Sequence, residues 1–199
     1  FSDGWCNTTA ITLTGLADGN NTINVWANDS ANNFNLENTY VVQIDTSNPN
    51  IEFTTGTESN ETNLSQNFVY TNVSVTETNE GTIIFMLMYG NETIYNSTSL
   101  TDASRDINFS NLADGNWLYN VSVNDSAGNS NSTGLRFITL DVLAPTVTLP
   151  EYVNGTFRKN TDTLTLNISA TDVTTSPSAC SVDTTGTNQT LTFSNGWCN

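Results

Sequence analysis

A 96-residue internal repeat governs what this chain can fold into. The stretch GLADGNNTINVWANDSANN at 15–33 returns as NLADGNWLYNVSVNDSAGN at 111–129. Leu16 matches Leu112, Asp18 matches Asp114, Gly19 matches Gly115 and Val25 matches Val121, while Asn28-Asp29-Ser30-Ala31 matches Asn124-Asp125-Ser126-Ala127, each 96 positions on. The spacing persists downstream, pairing Asp45 with Asp141 and Pro49 with Pro145. FSDGWCN at 1–7 recurs as FSNGWCN at 193–199, a distance of 192 residues, or two units. A fixed period of this size strings like units together instead of winding one core through the whole chain. The Trp-Cys phrase marks every second unit.

Inside a unit the hydrophobic pattern has period two. TLTLNISAT at 163–171 sets Leu164, Leu166, Ile168 and Ala170 on one face against Asn167 and Ser169 on the other, and NVSV, INVWA, YNVSV and AITLTGL alternate likewise. No segment carries a sustained apolar stripe of period 3.6. Short strands separated by Asn, Gly, Asp and Ser predict an all-β chain built of antiparallel sandwiches, and a 96-residue unit matches the roughly 100 residues of an immunoglobulin-like domain. The phrases LADGNNTINVWANDSANN and LADGNWLYNVSVNDSAGN resemble the L-x-D-G-x-N and D-x-A-G-N turns that flank the penultimate strand in tandem bacterial and archaeal immunoglobulin-like domains of cell-surface proteins. The first copy has Asn32 where that pattern has Gly. The resemblance covers essentially the whole chain and implies tandem immunoglobulin-like β-sandwiches, but such domains share architecture far more than activity.

Domain edges follow from the prolines. QIDTSNPNIEF and TLDVLAPTVTL each close one strand and open another at Pro49 or Pro145, residues that suit a first strand position because they cannot donate into a ladder. The chain divides into residues 1–47, the closing half of one domain; 48–144, a complete domain; and 145–199, the opening half of the next. Strands are expected at 10–16, 22–28 and 38–45 in the first piece and at 145–149, 161–172 and 179–183 in the last. Neither half can close its own core, so residues 1–47 are expected to complete a sandwich begun by the equivalent of 145–199 in a preceding copy. The chain then reads as an excerpt of a longer array rather than a strand-exchanging subunit, with TTAITLTGLADG expected to follow Asn199.

Three cysteines fit this division. Cys180 and Cys198 share the last piece, 18 positions apart, and are expected to bridge; Cys6 is the counterpart of Cys198, so its partner belongs to a preceding copy. Trp5 and Trp197 are expected to pack over these bridges. Acceptor motifs for N-glycosylation occur at Asn7, Asn20, Asn28, Asn60, Asn63, Asn72, Asn91, Asn96, Asn108, Asn120, Asn124, Asn131, Asn154, Asn167 and Asn188. A chain this rich in Asn, Ser and Thr produces such motifs by chance, but strand parity turns Asn72, Asn108, Asn120 and Asn167 away from the core, as a glycan requires.

Charge narrows the function. Twenty acidic residues face four basic ones, a formal charge of −16, which repels phosphate backbones and anionic lipid. The longest apolar run, IIFMLMY at 83–89, is far short of the roughly 20 residues of a bilayer span. Histidine is absent, Lys159 is the single lysine, and no phosphate loop, nucleophile elbow or metal-spaced cysteine pair occurs, so no catalytic residues and no cofactor are expected. Lys159, flanked by Arg158 and Asn160, is a poor candidate for an isopeptide crosslink. Asp18 and Asp114, with Asn28-Asp29 and Asn124-Asp125, could offer oxygens to Ca²⁺, but capping of their own turns is the preferred reading. Trp26 alternates with Ile23, Val25 and Ala27 and is expected on the outer face, as a contact to a neighbouring domain or a platform for sugar. The resulting expectation is a glycosylated extracellular filament or cell-surface stalk, for attachment or cell contact, whose partners are further copies of itself; an adhesin or carbohydrate-binding module is the alternative. Acidity, Asn/Thr richness and dense acceptor motifs resemble archaeal surface proteins more than bacterial ones.

Overall fold

The computed structural model describes residues 10–36, 39–90, 93–149, 168–184 and 186–198. The described residues form strands, turns and extended segments without a helix. Their core lies in the middle of the chain. There β5 (Asn50–Phe53), β7 (Val69–Thr76) and β10 (Asp106–Phe109) make a three-stranded antiparallel sheet in the order β10-β7-β5. A second sheet runs β6-β13-β11-β8-β9, from β6 (Thr62–Leu64), β8 (Glu80–Tyr89), β9 (Thr93–Leu100), β11 (Gly115–Asp125) and β13 (Arg136–Leu140), with β12 (Ser130–Ser132) hydrogen-bonded to β11. All pairs are antiparallel except β6 with β13. The chain crosses between the sheets at β5–β6, β6–β7, β7–β8, β9–β10 and β10–β11.

Period-two alternation explains the packing. In β11 the odd residues Trp117, Tyr119, Val121 and Val123 are buried, and in β8 so are Ile83, Phe85 and Leu87. They meet Ile51, Val69, Val73 and Phe109 of the three-stranded sheet in one apolar core, which makes residues 50–140 a β-sandwich. Most polar groups drawn into this core are paired, while the Thr54 and Thr71 hydroxyls and Asn120 Oδ1 are buried without a partner among the described residues. The indole of Trp117 donates to Ala113 O at 3.0 Å, Tyr119 Oη donates to Glu58 O, and the Thr133 hydroxyl accepts from Val121 N at 2.9 Å. Arg136 lies 4.1 Å over the Phe53 ring, a cation–π contact on the sandwich rim.

The flanking segments are sheets without a second layer among the described residues. In the first, β1 (Gly19–Ile23) pairs with β4 (Tyr40–Ile44) and β2 (Trp26–Asn28) with β3 (Phe34–Leu36). In the last, β14 (Thr146–Thr148), β15 (Ile168–Thr171), β19 (Trp197–Cys198) and β18 (Phe193–Ser194) form one sheet, and β16 (Cys180–Thr184) pairs with β17 (Thr187–Leu191) in a separate hairpin. The 96-residue period is present in the hydrogen bonding itself. Gly19 pairs with Ile44 as Gly115 pairs with Leu140, Ile23 with Tyr40 as Tyr119 with Arg136, and Trp26 with Leu36 as Ser122 with Ser132.

Several expected strands change. The segment 10–16 is unpaired instead of a strand. Its repeat equivalent in the sandwich begins with β10, which is held by its pairing with β7, and no such partner is present for 10–16 among the described residues. The expected strand 22–28 is interrupted after Ile23 and begins three residues earlier, at Gly19, where φ of +99° suits the glycine of the Asp18-Gly19 turn. Of the expected strand 38–45, Tyr40–Ile44 form a strand, residue 38 lying outside the described residues, and Phe34–Leu36 is an additional strand. Of 161–172, residues 168–172 lie within the described residues, and Ile168–Thr171 of them form a strand.

Candidate functional site

The feature with functional content is a mismatch in burial between equivalent positions. Val121 and Ile138 are fully covered in the sandwich, whereas their counterparts 96 residues earlier are exposed: Val25, between β1 and β2, by 53%, and Val42, which pairs with Asn21 as Ile138 does with Trp117, by 38%. Leu13 is 52% exposed against 6% for its equivalent Phe109, and Val147 is 65% exposed against 5% for Ile51. Apolar residues whose repeat equivalents line the sandwich core are thus open to solvent at several positions of the first segment and at Val147 of the last.

The turns that link the strands repeat closely, with one bond fewer to the carboxylate in the first copy. Asp125 accepts from Ala127 N, Gly128 N and Asn129 N on Oδ1, at 2.9, 2.7 and 2.8 Å, and from Asn129 Nδ2 on Oδ2 at 2.7 Å. Asp29 accepts from Ala31 N, Asn33 N and Asn33 Nδ2 in the same way, at 2.9, 2.8 and 2.6 Å. Burial of Asp125 would raise its pKa, but the Asn129 side chain and the three backbone donors outweigh that and hold the carboxyl below its ordinary value. Asp29 is likewise lowered, chiefly by the Asn33 side chain. Asp18 takes the Thr46 hydroxyl at 2.9 Å and Asp114 takes Val142 N at 3.1 Å. Asp29 and Asp125 thus cap their own turns, whereas Asp18 and Asp114 tie theirs to residues 28 positions on in the chain.

Where the first segment meets the sandwich, Asn79 Nδ2 donates to Asp45 Oδ2 and Asn129 Nδ2 to Asp45 O, both at 3.0 Å. One unit on, the Thr175 hydroxyl donates to Asp141 Oδ2. Thr175 is the repeat equivalent of Asn79, so one joint recurs with a different donor. Beside the first joint a cleft of about 500 Å³ is lined by Asp18, Gln43, Asp45, Glu77 and Asn79 among others. Asp45, Glu77 and Asp125 bring one carboxylate oxygen each within 4.8 Å of one another. Hydrogen-bond donors from their own turns already serve them: Glu77 Oε1 accepts Thr78 N and Asn79 N at 2.7 and 2.9 Å. Sequence reasoning missed Glu77 and Asn79. Asp45 carried a signal in its 96-residue pairing with Asp141.

Cys180 and Cys198 are joined by a disulfide, with Cα atoms 5.8 Å apart. Cys6 and Trp5 lie outside the described residues, as do Asn7, Asn91, Asn154, Asn167 and Lys159. Trp197 is 45% exposed beside the bridge. Among the other acceptor asparagines, Asn20, Asn28, Asn60, Asn63, Asn96, Asn108, Asn124, Asn131 and Asn188 are exposed, while Asn72 and Asn120 are half-buried. Three are already committed to backbone: Asn60 Oδ1 accepts from Phe137 N at 2.7 Å and Asn124 Oδ1 from Thr82 N at 2.8 Å, whereas Asn131 uses Nδ2 itself to reach Pro49 O at 2.9 Å. Trp26 is 61% exposed and faces Phe34 with ring centroids 5.7 Å apart.

No helix among the described residues is long and apolar enough to cross a membrane. No family model matches the chain, and no curated protein matches it. Among solved structures it is similar to the crystal structure of dimeric latent PorU from Porphyromonas gingivalis, at 13% identity and a TM-score of 0.36, over 64% of this chain and 13% of that one.

Proposed function

We propose that this chain is a structural segment of a glycosylated extracellular filament or cell-surface stalk, built from tandem immunoglobulin-like sandwiches and serving attachment or cell contact. One complete domain at 48–144 stands between two halves, 1–47 and 145–199, and each half is completed by a neighbouring copy. The exposure of Val25 and Val42 at positions that are sealed in the sandwich as Val121 and Ile138 carries this reading. An uncovered inner face costs about 25 cal/mol for each Å² of apolar surface left in water, so the halves gain by finding each other. Recurrence of the Asp45 and Asp141 joints supports a linear array in which successive units meet at the same repeat position. The Cys180–Cys198 bridge suits an oxidising compartment, and the exposed acceptor asparagines suit glycan-bearing material. Cys6 is assigned a bridge to the Cys180 equivalent of a preceding copy.

Sedimentation of the full chain tests the reading. Mass-action growth of end-to-end oligomers with concentration is expected, and Val25→Asp should suppress it. Monomer at all accessible concentrations would overturn it. A second reading, an adhesin with a carbohydrate-binding face, is favoured by the Trp26–Phe34–Leu36 cluster, whose members are 61%, 63% and 48% exposed. Binding to a glycan array, lost in Trp26→Ala, would select it.

A further inference from the structure

We propose that Asn28 is an N-glycan seat, in which the sugar attached to Asn28 packs on the exposed rings of Trp26 and Phe34. The inference rests on the reading above that the chain carries N-glycans and specifies where one is held. Trp26 and Asn28 are two positions apart on β2 and so share a face, and Phe34 is the direct cross-strand partner of Asn28. The acceptor asparagine is thereby flanked by two aromatic rings. Neither ring is covered, at 61% and 63% exposure, and Leu36, directly across from Trp26, extends the patch.

Completion of the sandwich leaves this patch on the outer face, where the equivalent of Trp26 is half-buried beside β8. Trp26 is equivalent to Ser122, which alternates with the buried Val121 and Val123 and so lies on the outer face. A pyranose ring is chemically suited to the place, since its C–H face packs on an aromatic face while its hydroxyls stay in water. Asp29, the nearest carboxylate in sequence, is turned away because both its oxygens accept hydrogen bonds from Ala31 and Asn33. The side chain of Asn28 makes no hydrogen bond within the described residues.

The repeat supplies its own control. Asn124-Asp125-Ser126 has the same acceptor motif, the same turn and the same strand register. In place of Trp26, Phe34 and Leu36 it has Ser122, Ser130 and Ser132, and Asn124 Oδ1 is engaged by Thr82 N at 2.8 Å. A sugar at Asn124 has no aromatic platform.

The test uses the full chain made in its native host, as wild type, Ser30→Ala and Ser126→Ala. Each substitution deletes one acceptor motif and leaves its asparagine in place. Glycopeptide mapping reads occupancy, and hydroxyl-radical footprinting reads oxidation at Trp26 peptide by peptide. Glycan on Asn28 is expected, with Trp26 oxidation rising about twofold in Ser30→Ala, because a sugar shields one of two ring faces, and unchanged in Ser126→Ala. A bare Asn28 beside other occupied sites overturns the inference and leaves the glycoprotein reading standing. Bare asparagines throughout overturn both. An occupied Asn28 with Trp26 oxidation unmoved by Ser30→Ala also overturns it. So does Trp26 protection that varies with protein concentration and ignores Ser30→Ala, which would assign the patch to a second copy of the chain.

Discussion

Replacing Phe85 by Ala tests the sandwich at its centre. Phe85 is fully buried, stands opposite Val121 on β11 and Thr98 on β9, and belongs to the one core formed between residues 51 and 140. Truncation of a buried Phe to Ala costs about 3–5 kcal/mol, part transfer energy and part cavity. Unfolding free energies run at about 0.05–0.15 kcal/mol per residue, so a domain of this size holds on the order of 5–15 kcal/mol and loses a large share. In a unit of about 100 residues each kcal/mol shifts the midpoint by about 4–8 °C, so a fall of at least about 12 °C is expected. Met86, the next residue, faces outward and is half-buried; Met86→Ala should cost about 1 kcal/mol, the area term alone. Calorimetry of the full chain, with near-ultraviolet circular dichroism reporting the buried Trp117, measures both variants. Equal losses, or a greater loss from Met86→Ala, would show that β8 presents its other face to the core and refute the assigned alternation.

Three further outcomes are expected. Serine at Cys180 removes a cross-link closing 18 residues of sequence and should lower the stability of the last segment by about 3 kcal/mol, read as faster proteolysis between residues 168 and 198 with the sandwich midpoint unchanged. Gly81→Ala places a Cβ 2.9 Å from Asn124 O and 3.0 Å from Asp125 O, backbone atoms that cannot retreat without breaking the β8–β11 pairing, so a loss of about 1–3 kcal/mol in denaturant melts is expected. The Asp125 carboxyl is held below its ordinary value when folded, so its contribution is complete above about pH 4, the unfolded value, and is lost as pH falls through the lower folded value; Asp125→Asn should flatten the acid limb of the stability profile, and an unchanged limb would contradict the turn's role.

What the sequence disclosed was whatever is local or repeated. Alternation in YNVSV placed Tyr119, Val121 and Val123 in the core, and the 96-residue spacing anticipated hairpins whose registers coincide pair for pair. A hairpin's partners are neighbours in the chain, so its signal is complete within about twenty residues. The segment 10–16 has a good strand pattern and no strand, since alternation cannot supply a partner, and its repeat equivalent β10 owes its ladder to β7, more than thirty residues away in sequence. Phe34–Leu36 went unnoticed because a three-residue strand among asparagines has too little alternation to stand out. The joint at Asp45 was legible as a repeated residue but not as a contact, since Asn79 and Asn129 lie 34 and 84 residues away in sequence. The aromatic flanks of Asn28 required the β2–β3 register, which no count of acceptor motifs supplies.

The central claim is that a half-sandwich is closed by a different copy. A photoreactive phenylalanine analogue at Val25, in an equimolar mixture of isotopically light and heavy full-length chains, tests it most directly. Val121, the equivalent of Val25, shares its core with Ile51, Val69 and Val73 of the opening half. The account therefore predicts light-to-heavy cross-links from position 25 into residues 145–198, centred near Val147, the equivalent of Ile51. Cross-links confined to a single chain, or light-to-heavy links that fall within 50–140, would contradict it.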